Sequence, residues 1–157
     1  MHPYTYAHIH TLSYIHTHTS SAMTVAFMTT VPGEGDSGTP GYNSSISVGV
    51  SLSGALLPDP GLANVAPHQP PFLDFHGCDD CTVPYTSTQS CAKSEGDFDA
   101  VATIAAMRKA GREASLHSFA GKGHVPWGDL KSTTATSAMV GFLAEHLDLA
   151  HAECPGR

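Results

Sequence analysis

Two short polar segments carry the side chains in this sequence that are best suited to chemistry. One is HGCDDCTVP, at residues 76–84, and the other is GKGHVPW, at residues 121–127. Imidazole and carboxylate groups can transfer or hold protons, and histidine together with cysteine can also ligate zinc. Glycines beside His124 let the backbone bend sharply and present the imidazole. Both segments are therefore candidate functional loops.

A predicted strand precedes each polar segment. Phe72–His76 and Ala114–Phe119 are short runs that favour strands, and the alternating, β-branched run Ile46–Leu52 favours a third. In parallel sheets the functional groups gather beyond the carboxyl ends of the strands. The two polar segments are therefore expected at that edge of the sheet.

Helices are predicted before, between and after these strands. Ser21–Val31 is short and apolar, Thr86–Glu95 is compatible with a short helix, and Asp97 caps a clearer helix that ends before Gly111. Lys131–Leu147 has the best helical pattern. Its core-facing stripe is Ala135, Ala138, Met139, Phe142, Leu143 and Leu147, and that of the Asp97 helix is Phe98, Val101, Ile104 and Met107. Strands alternating with helices indicate an α/β domain in which helices flank a three-stranded parallel sheet.

In this order, the two polar segments resemble loops of the α/β-hydrolase superfamily, in particular its esterases, lipases and polyester-depolymerase-like members. The family's acid loop reads roughly HG-x-x-D-x-x-VP and its histidine loop reads G-x-GH, and both are matched here. The resemblance covers residues 46–147, about two-thirds of the chain, and equates the strands with family strands six to eight. It implies a partial α/β-hydrolase fold. Residues 21–150 would be the C-terminal part of the domain, between a His/Thr-rich tail at 1–20 and a short tail at 151–157.

The resemblance assigns a role to one acid and one histidine. It makes Asp80 the acid of a Ser–Asp–His triad and His124 its general base, with Asp79 as the rival acid. In that chemistry His124 takes the proton of a serine hydroxyl and passes it to the leaving alcohol, while Asp80 holds the imidazole tautomer. The expected function is hydrolysis of small-molecule carboxylic esters without a cofactor.

The serine nucleophile is the part of this resemblance that the sequence leaves open. The family's G-x-S-x-G turn does not occur in the chain. Ser21, with Ser20 as the alternative, lies just before a segment that resembles the helix after that turn, whereas Ser51 and Ser53 are interpreted as strand-end residues. We therefore expect a chain that is truncated relative to the family. The alternative is a non-catalytic hydrolase-like module, or an inactive fragment, that self-associates through the open edge of its sheet.

Other interpretations of the polar residues stay open. His76, Cys78 and Cys81 are potential zinc ligands with Cys91 as a fourth, although a single CxxC pair is weak evidence and no metal is expected. A disulfide could instead join Cys78 to Cys81, or Cys81 to Cys91. Trp127, three residues after the histidine, is a candidate for lining an acyl pocket or for packing against the last helix.

Charge and composition exclude several classes of partner. The chain of 157 residues has 7 basic and 14 acidic side chains, a formal charge of -7, and no basic patch, which argues against nucleic acid. No apolar run approaches the roughly 20 residues of a membrane span. The cysteine content leaves the compartment open. A histidine-rich start could bind metal, but a low-complexity tail is the simpler interpretation. The histidines concerned are His2, His8, His10, His16 and His18.

Overall fold

A sheet of three parallel strands lies at the centre of the computed structural model, which describes residues 47–55, 70–89 and 99–147. The strand order along the sheet is β1-β2-β3, and both pairs are parallel. The expected three-stranded parallel sheet flanked by helices is therefore confirmed. The strands are β1 (Gly49–Leu52), β2 (Phe72–Gly77) and β3 (Ala114–Phe119).

β2 is the central strand, and all six of its residues are buried. Its register places Phe75 beside Leu52 of β1 and His117 of β3. Side chains alternate between the two faces of a strand, so Leu73 and Phe75 share one face, and Asp74 and His76 share the other. The first face belongs to the main apolar core. The buried members of that core are Val48, Leu52, Leu73, Phe75, Ala135 and Phe142.

The helix between β2 and β3 is α1 (Ala100–Lys109). It begins two residues later than expected, because its N-cap is Asp99, whose carboxylate accepts from the Ala102 amide, and not Asp97. Val101, expected on the core-facing side, is 40% exposed, because a stripe with a spacing of three residues drifts around a helix of about 3.6 residues per turn. Of the expected stripe, Phe98 lies outside the described residues. The buried face is Ala100, Thr103, Ile104 and Met107.

Two helices follow β3, where one was expected. α2 (Trp127–Leu130) is a short helix that begins within the segment predicted to be loop, residues 120–128. The N-cap of α3 (Thr133–His146) is Ser132, whose hydroxyl accepts from the Ala135 amide at 3.3 Å. The predicted stripe of α3 is confirmed, since Ala135 and Phe142 are buried in the core and its other members pack against it. Those members are Ala138, Met139, Leu143 and Leu147.

Several predicted elements fall partly or wholly outside the described residues. The helix predicted at Thr86–Glu95 is absent from its described part, where residues 86–89 form turns closed by the Gln89 amide on the Thr86 carbonyl at 3.1 Å. β1 begins at Gly49, so Ser47 and Val48 are not in the strand. The helix predicted at Ser21–Val31 and the proposed tails lie outside the described residues. No helix within the described ranges combines the length and apolarity needed to cross a bilayer.

Candidate active site

The two polar loops lie against each other at the carboxyl ends of β2 and β3. The Cys78 amide donates to the Phe119 carbonyl at 3.0 Å, and the Asp79 amide donates to the Lys122 carbonyl at 2.8 Å. A Cβ on Gly77 would overlap the backbone carbonyls of Lys122 and Gly123. A glycine at the end of β2 is therefore what lets the acid loop, residues 78–84, approach the histidine loop, residues 120–126.

The acid and the histidine singled out by the sequence are in contact. The Oδ2 atom of Asp80 lies 2.8 Å from Nδ1 of His124. Oδ1 of Asp80 accepts from the amides of Thr82, at 2.8 Å, and Val83, at 3.1 Å. Asp80 is fully buried, whereas Asp79 is exposed. It is Asp80, and not its neighbour, whose carboxylate contacts the histidine.

The environment of Asp80 keeps its carboxyl group ionised. Burial by itself raises the pKa of Asp80, but hydrogen bonds from His76, His124 and the Thr82 amide lower it to about 2. A carboxylate only accepts hydrogen bonds, so in the neutral imidazole of His124 the proton is on Nδ1 and the lone pair is on Nε2. The His124 side chain is 36% exposed. The arrangement thus places a basic nitrogen on a side chain that is partly exposed to solvent.

A second histidine, His76, lies buried on the other side of the Asp80 carboxylate. Its Nδ1 lies 2.8 Å from Asp74 Oδ2, and its Nε2 lies 2.9 Å from the Val83 carbonyl and 3.3 Å from Asp80 Oδ2. Burial by itself lowers the pKa of His76, but the hydrogen bonds to Asp74 and Asp80 outweigh it and raise the pKa to about 10. His76 is therefore a buried cation between two acids.

Asp74 and Ser53 also contribute to this site. The sequence interpretation did not single out Asp74 and interpreted Ser53 as a strand-end residue. Asp74 Oδ1 accepts from the Gly54 amide at 3.4 Å, and Ser53 Oγ accepts from the Val125 amide at 2.9 Å. The available signal for Asp74 was its position two residues before His76 in an otherwise apolar strand, which puts both side chains on one face. No comparable signal marked Ser53.

The remaining candidate residues are more scattered. Ser20 and Ser21, the candidate nucleophiles, lie outside the described residues. Ser51 is buried in β1, and its hydroxyl has no hydrogen-bond partner among the residues that the structure describes. Trp127 begins α2 and is 43% exposed. Its expected place in an acyl pocket stays a prediction.

The zinc interpretation of the acid loop does not fit the structure. Cys81 is disulfide-bonded, so it cannot act as a thiolate ligand, and both nitrogens of His76 have protein partners. Cys78 is a free thiol, which excludes the Cys78–Cys81 bridge. The partner of Cys81 lies outside the described residues, as do Cys91 and the histidine-rich start of the chain.

Comparison with known proteins finds similarity in solved structures alone, because no family model and no curated protein matches the chain. A thermophilic esterase of the Planctomycetes species Thermogutta terrifontis has 18% identity, covers 70% of this chain and 47% of its own, and gives a TM-score of 0.49. A truncated carbohydrate esterase from gut microbiota has 20% identity, with 66% of this chain and 44% of its own covered and a TM-score of 0.48. Esterase PE8 has 21% identity, with 65% and 40% covered and a TM-score of 0.43.

All three are esterases. The chain spans less than half of the length of each of them.

Proposed function

We propose that this chain supplies the acid and the general base of a Ser–Asp–His triad in a hydrolase of small carboxylic esters. The observation that carries the proposal is the 2.8 Å hydrogen bond between the buried Asp80 carboxylate and Nδ1 of the part-exposed His124. That bond leaves the lone pair on Nε2, the nitrogen that a general base needs. The order of the acid and histidine loops in the sequence supports the same reaction class.

In the proposed mechanism, His124 Nε2 takes the proton of a serine hydroxyl while the serine oxygen attacks the ester carbonyl carbon. The tetrahedral intermediate collapses, the bond from carbon to the alcohol oxygen breaks, and His124 returns the proton to that oxygen. Water then repeats both steps on the acyl-enzyme and releases the acid. Throughout, Asp80 stabilises the His124 imidazolium and fixes its orientation. Ser21, with Ser20 as the alternative, is the proposed nucleophile.

The test is covalent labelling of the purified chain by a fluorophosphonate, followed by mass mapping of the modified peptide and an assay with a short-chain p-nitrophenyl ester. We expect label on Ser21 or Ser20, and we expect both label and hydrolysis to disappear in His124→Ala. His117→Ala, at an uninvolved histidine of β3, is the matched control. Absence of label and of hydrolysis in the wild-type chain would contradict the proposal for this chain acting alone.

A second candidate function is association without catalysis. Among the residues that the structure describes, β1 pairs only with β2, so its outer edge has no strand beside it. Unpaired strand edges are common sites of strand addition. On this alternative, the chain self-associates through β1 and shows no hydrolysis. Light scattering after gel filtration distinguishes the two candidates, because the alternative predicts an oligomer that a proline at Val50 disrupts.

A further inference from the structure

The oxygen of Asp80 that binds His124 has a second imidazole beside it. His76 has no exposed side-chain surface, and its Nε2 lies 3.3 Å from Asp80 Oδ2, the atom that also accepts from His124 Nδ1. Beyond His76, Asp74 Oδ2 lies 2.8 Å from Nδ1. Four side chains therefore form one continuous row, in the order Asp74, His76, Asp80, His124, of which the first three are buried.

The partners of His76 identify its protonation state. The Val83 carbonyl, 2.9 Å from Nε2, can only accept a hydrogen bond, so Nε2 carries a proton. Nδ1 faces a carboxylate oxygen of Asp74, which also accepts. With acceptors at both nitrogens, the imidazole is doubly protonated and positively charged. The pKa of His76, raised to about 10, agrees with this geometry.

We propose that His76 is a positioning residue, a buried imidazolium that links Asp80 to Asp74 and holds the Asp80 carboxylate in place for His124. This role rests on the proposed function, because it takes Asp80 as the acid of the triad. A buried carboxylate is stable only when it is paired and hydrogen-bonded. Without the cation, Asp80 and Asp74 would be two buried acids in one row. The Thr82 and Val83 amides and His124 itself would then be the remaining hydrogen-bond partners of Asp80.

The charged groups that face His76 are the carboxylates of Asp74 and Asp80. Asp74 faces it from its own strand, and Asp80 and the Val83 carbonyl face it from the acid loop. The Tyr85 ring lies 5.9 Å away, edge to face, with its hydroxyl bonded to the Ser118 hydroxyl. On β1, the register partner of Asp74 is Ser51, which is uncharged. Asp74 and Asp80 thus provide the negative charge that faces the cation.

The experiment follows the imidazole nitrogens of the full-length chain by ¹⁵N NMR across a pH titration. His76→Gln removes the cation, Asp74→Asn removes one carboxylate, and the double variant removes both and so restores the balance of charge. His117→Gln is the matched control, because the His117 ring packs against the rings of Phe75 and Phe119 and is not a member of the row. None of these measurements requires ester hydrolysis.

In the wild type we expect both His76 nitrogens to remain protonated at pH 8, whereas a neutral histidine would show one bare nitrogen. His76→Gln should move the midpoint of the His124 titration upward by about one pH unit, because a neighbouring positive charge is lost. Asp74→Asn should move it downward, and the double variant should return it close to that of the wild type. A neutral His76 predicts instead no movement in His76→Gln.

One bare nitrogen on His76 at pH 8, or an unmoved His124 midpoint in a folded His76→Gln variant, would overturn the proposal. Should His76→Gln fail to fold, the wild-type spectrum alone decides. Failure of the ester-hydrolase proposal is seen separately, as absence of labelling and turnover. Where the wild type does hydrolyse esters, the acid limb of its pH–rate profile should move with the His124 midpoint in each variant, and rescue by the double variant should appear in both measurements.

Discussion

The backbone amide of Val125 donates a hydrogen bond to the hydroxyl of Ser53 at 2.9 Å, and both residues have positive φ, 47° and 54°. Positive φ is uncommon outside glycine, and for a β-branched residue such as valine it is a true outlier. The bond joins the end of β1 to the residue that follows His124. We infer that Ser53 holds the strained turn that presents the imidazole.

Removal of the Ser53 hydroxyl should therefore loosen this turn. We expect Ser53→Ala to lower the free energy of unfolding by about 1–2 kcal/mol, since the Val125 amide loses its acceptor. The matched control is Ser51→Ala on the same strand. Within the described residues the buried Ser51 hydroxyl has no hydrogen-bond partner, so its removal should be neutral or slightly stabilising. Urea unfolding measures the unfolding free energy of both variants. Equal decreases in the two would contradict the inference.

Gly77 should tolerate no side chain. A methyl group there would meet the carbonyls of Lys122 and Gly123, which are backbone and cannot move without displacing the histidine loop. We expect Gly77→Ala to cost at least about 2 kcal/mol of unfolding free energy. Gly141→Ala is the control, because nothing lies within 4 Å of its added Cβ on α3. That variant should gain about 0.5–1 kcal/mol from helix propensity. An unaltered Gly77→Ala stability would contradict the close approach of the loops.

The sheet, the last helix and the pair of loops could be predicted from the sequence, because each of these has a local sequence pattern. Alternation and apolar runs mark strands, and the stripe from Ala135 to Leu147 follows the helical period. Asp97 and Asp99 are both of the residue type that caps helices well, and in the structure Asp99 also accepts from the distant Ser87 amide at 2.8 Å. Ser53 contacts a residue 72 positions away, and such a contact leaves no mark in local sequence.

The charged His76 should make stability depend on pH in a defined window. Its pKa is raised from 6.5 to about 10, so between these values the folded chain binds a proton that the unfolded chain has lost. The stabilisation is complete below pH 6.5, decreases as pH rises, and is gone above about 10. Between pH 7 and 9 the unfolding free energy should fall by up to about 1.4 kcal/mol per pH unit.

His76→Gln isolates this effect, because it keeps the other groups that titrate in the window, including the Cys78 thiol, whose pKa burial raises. The variant should be less stable than the wild type by about 3–5 kcal/mol near pH 7, and its stability should vary less between pH 7 and 9. Urea unfolding at three pH values provides the comparison. Parallel curves for the two proteins would show that His76 does not carry the linked proton.

Asp80 and Asp79 are adjacent acids, of which the first is buried and the second exposed. Substitution by asparagine should therefore lower kcat strongly at Asp80 and hardly at all at Asp79. Asp80→Asn keeps the shape of the side chain but replaces the carboxylate that accepts from His124 Nδ1. The amide can donate to Nδ1 and favour the wrong tautomer, so kcat for a short-chain ester should fall by about 10³–10⁴. Asp79 is exposed, and Asp79→Asn should leave kcat within about twofold of the wild-type value.

The downfield proton signal of the His124 Nδ1–H should vanish in Asp80→Asn and persist in Asp79→Asn. This signal tests the pairing of Asp80 with His124 without turnover. The two variants remove the same charge at adjacent positions. Loss of kcat and of the Nδ1–H signal in Asp79→Asn alone would therefore identify Asp79 as the acid.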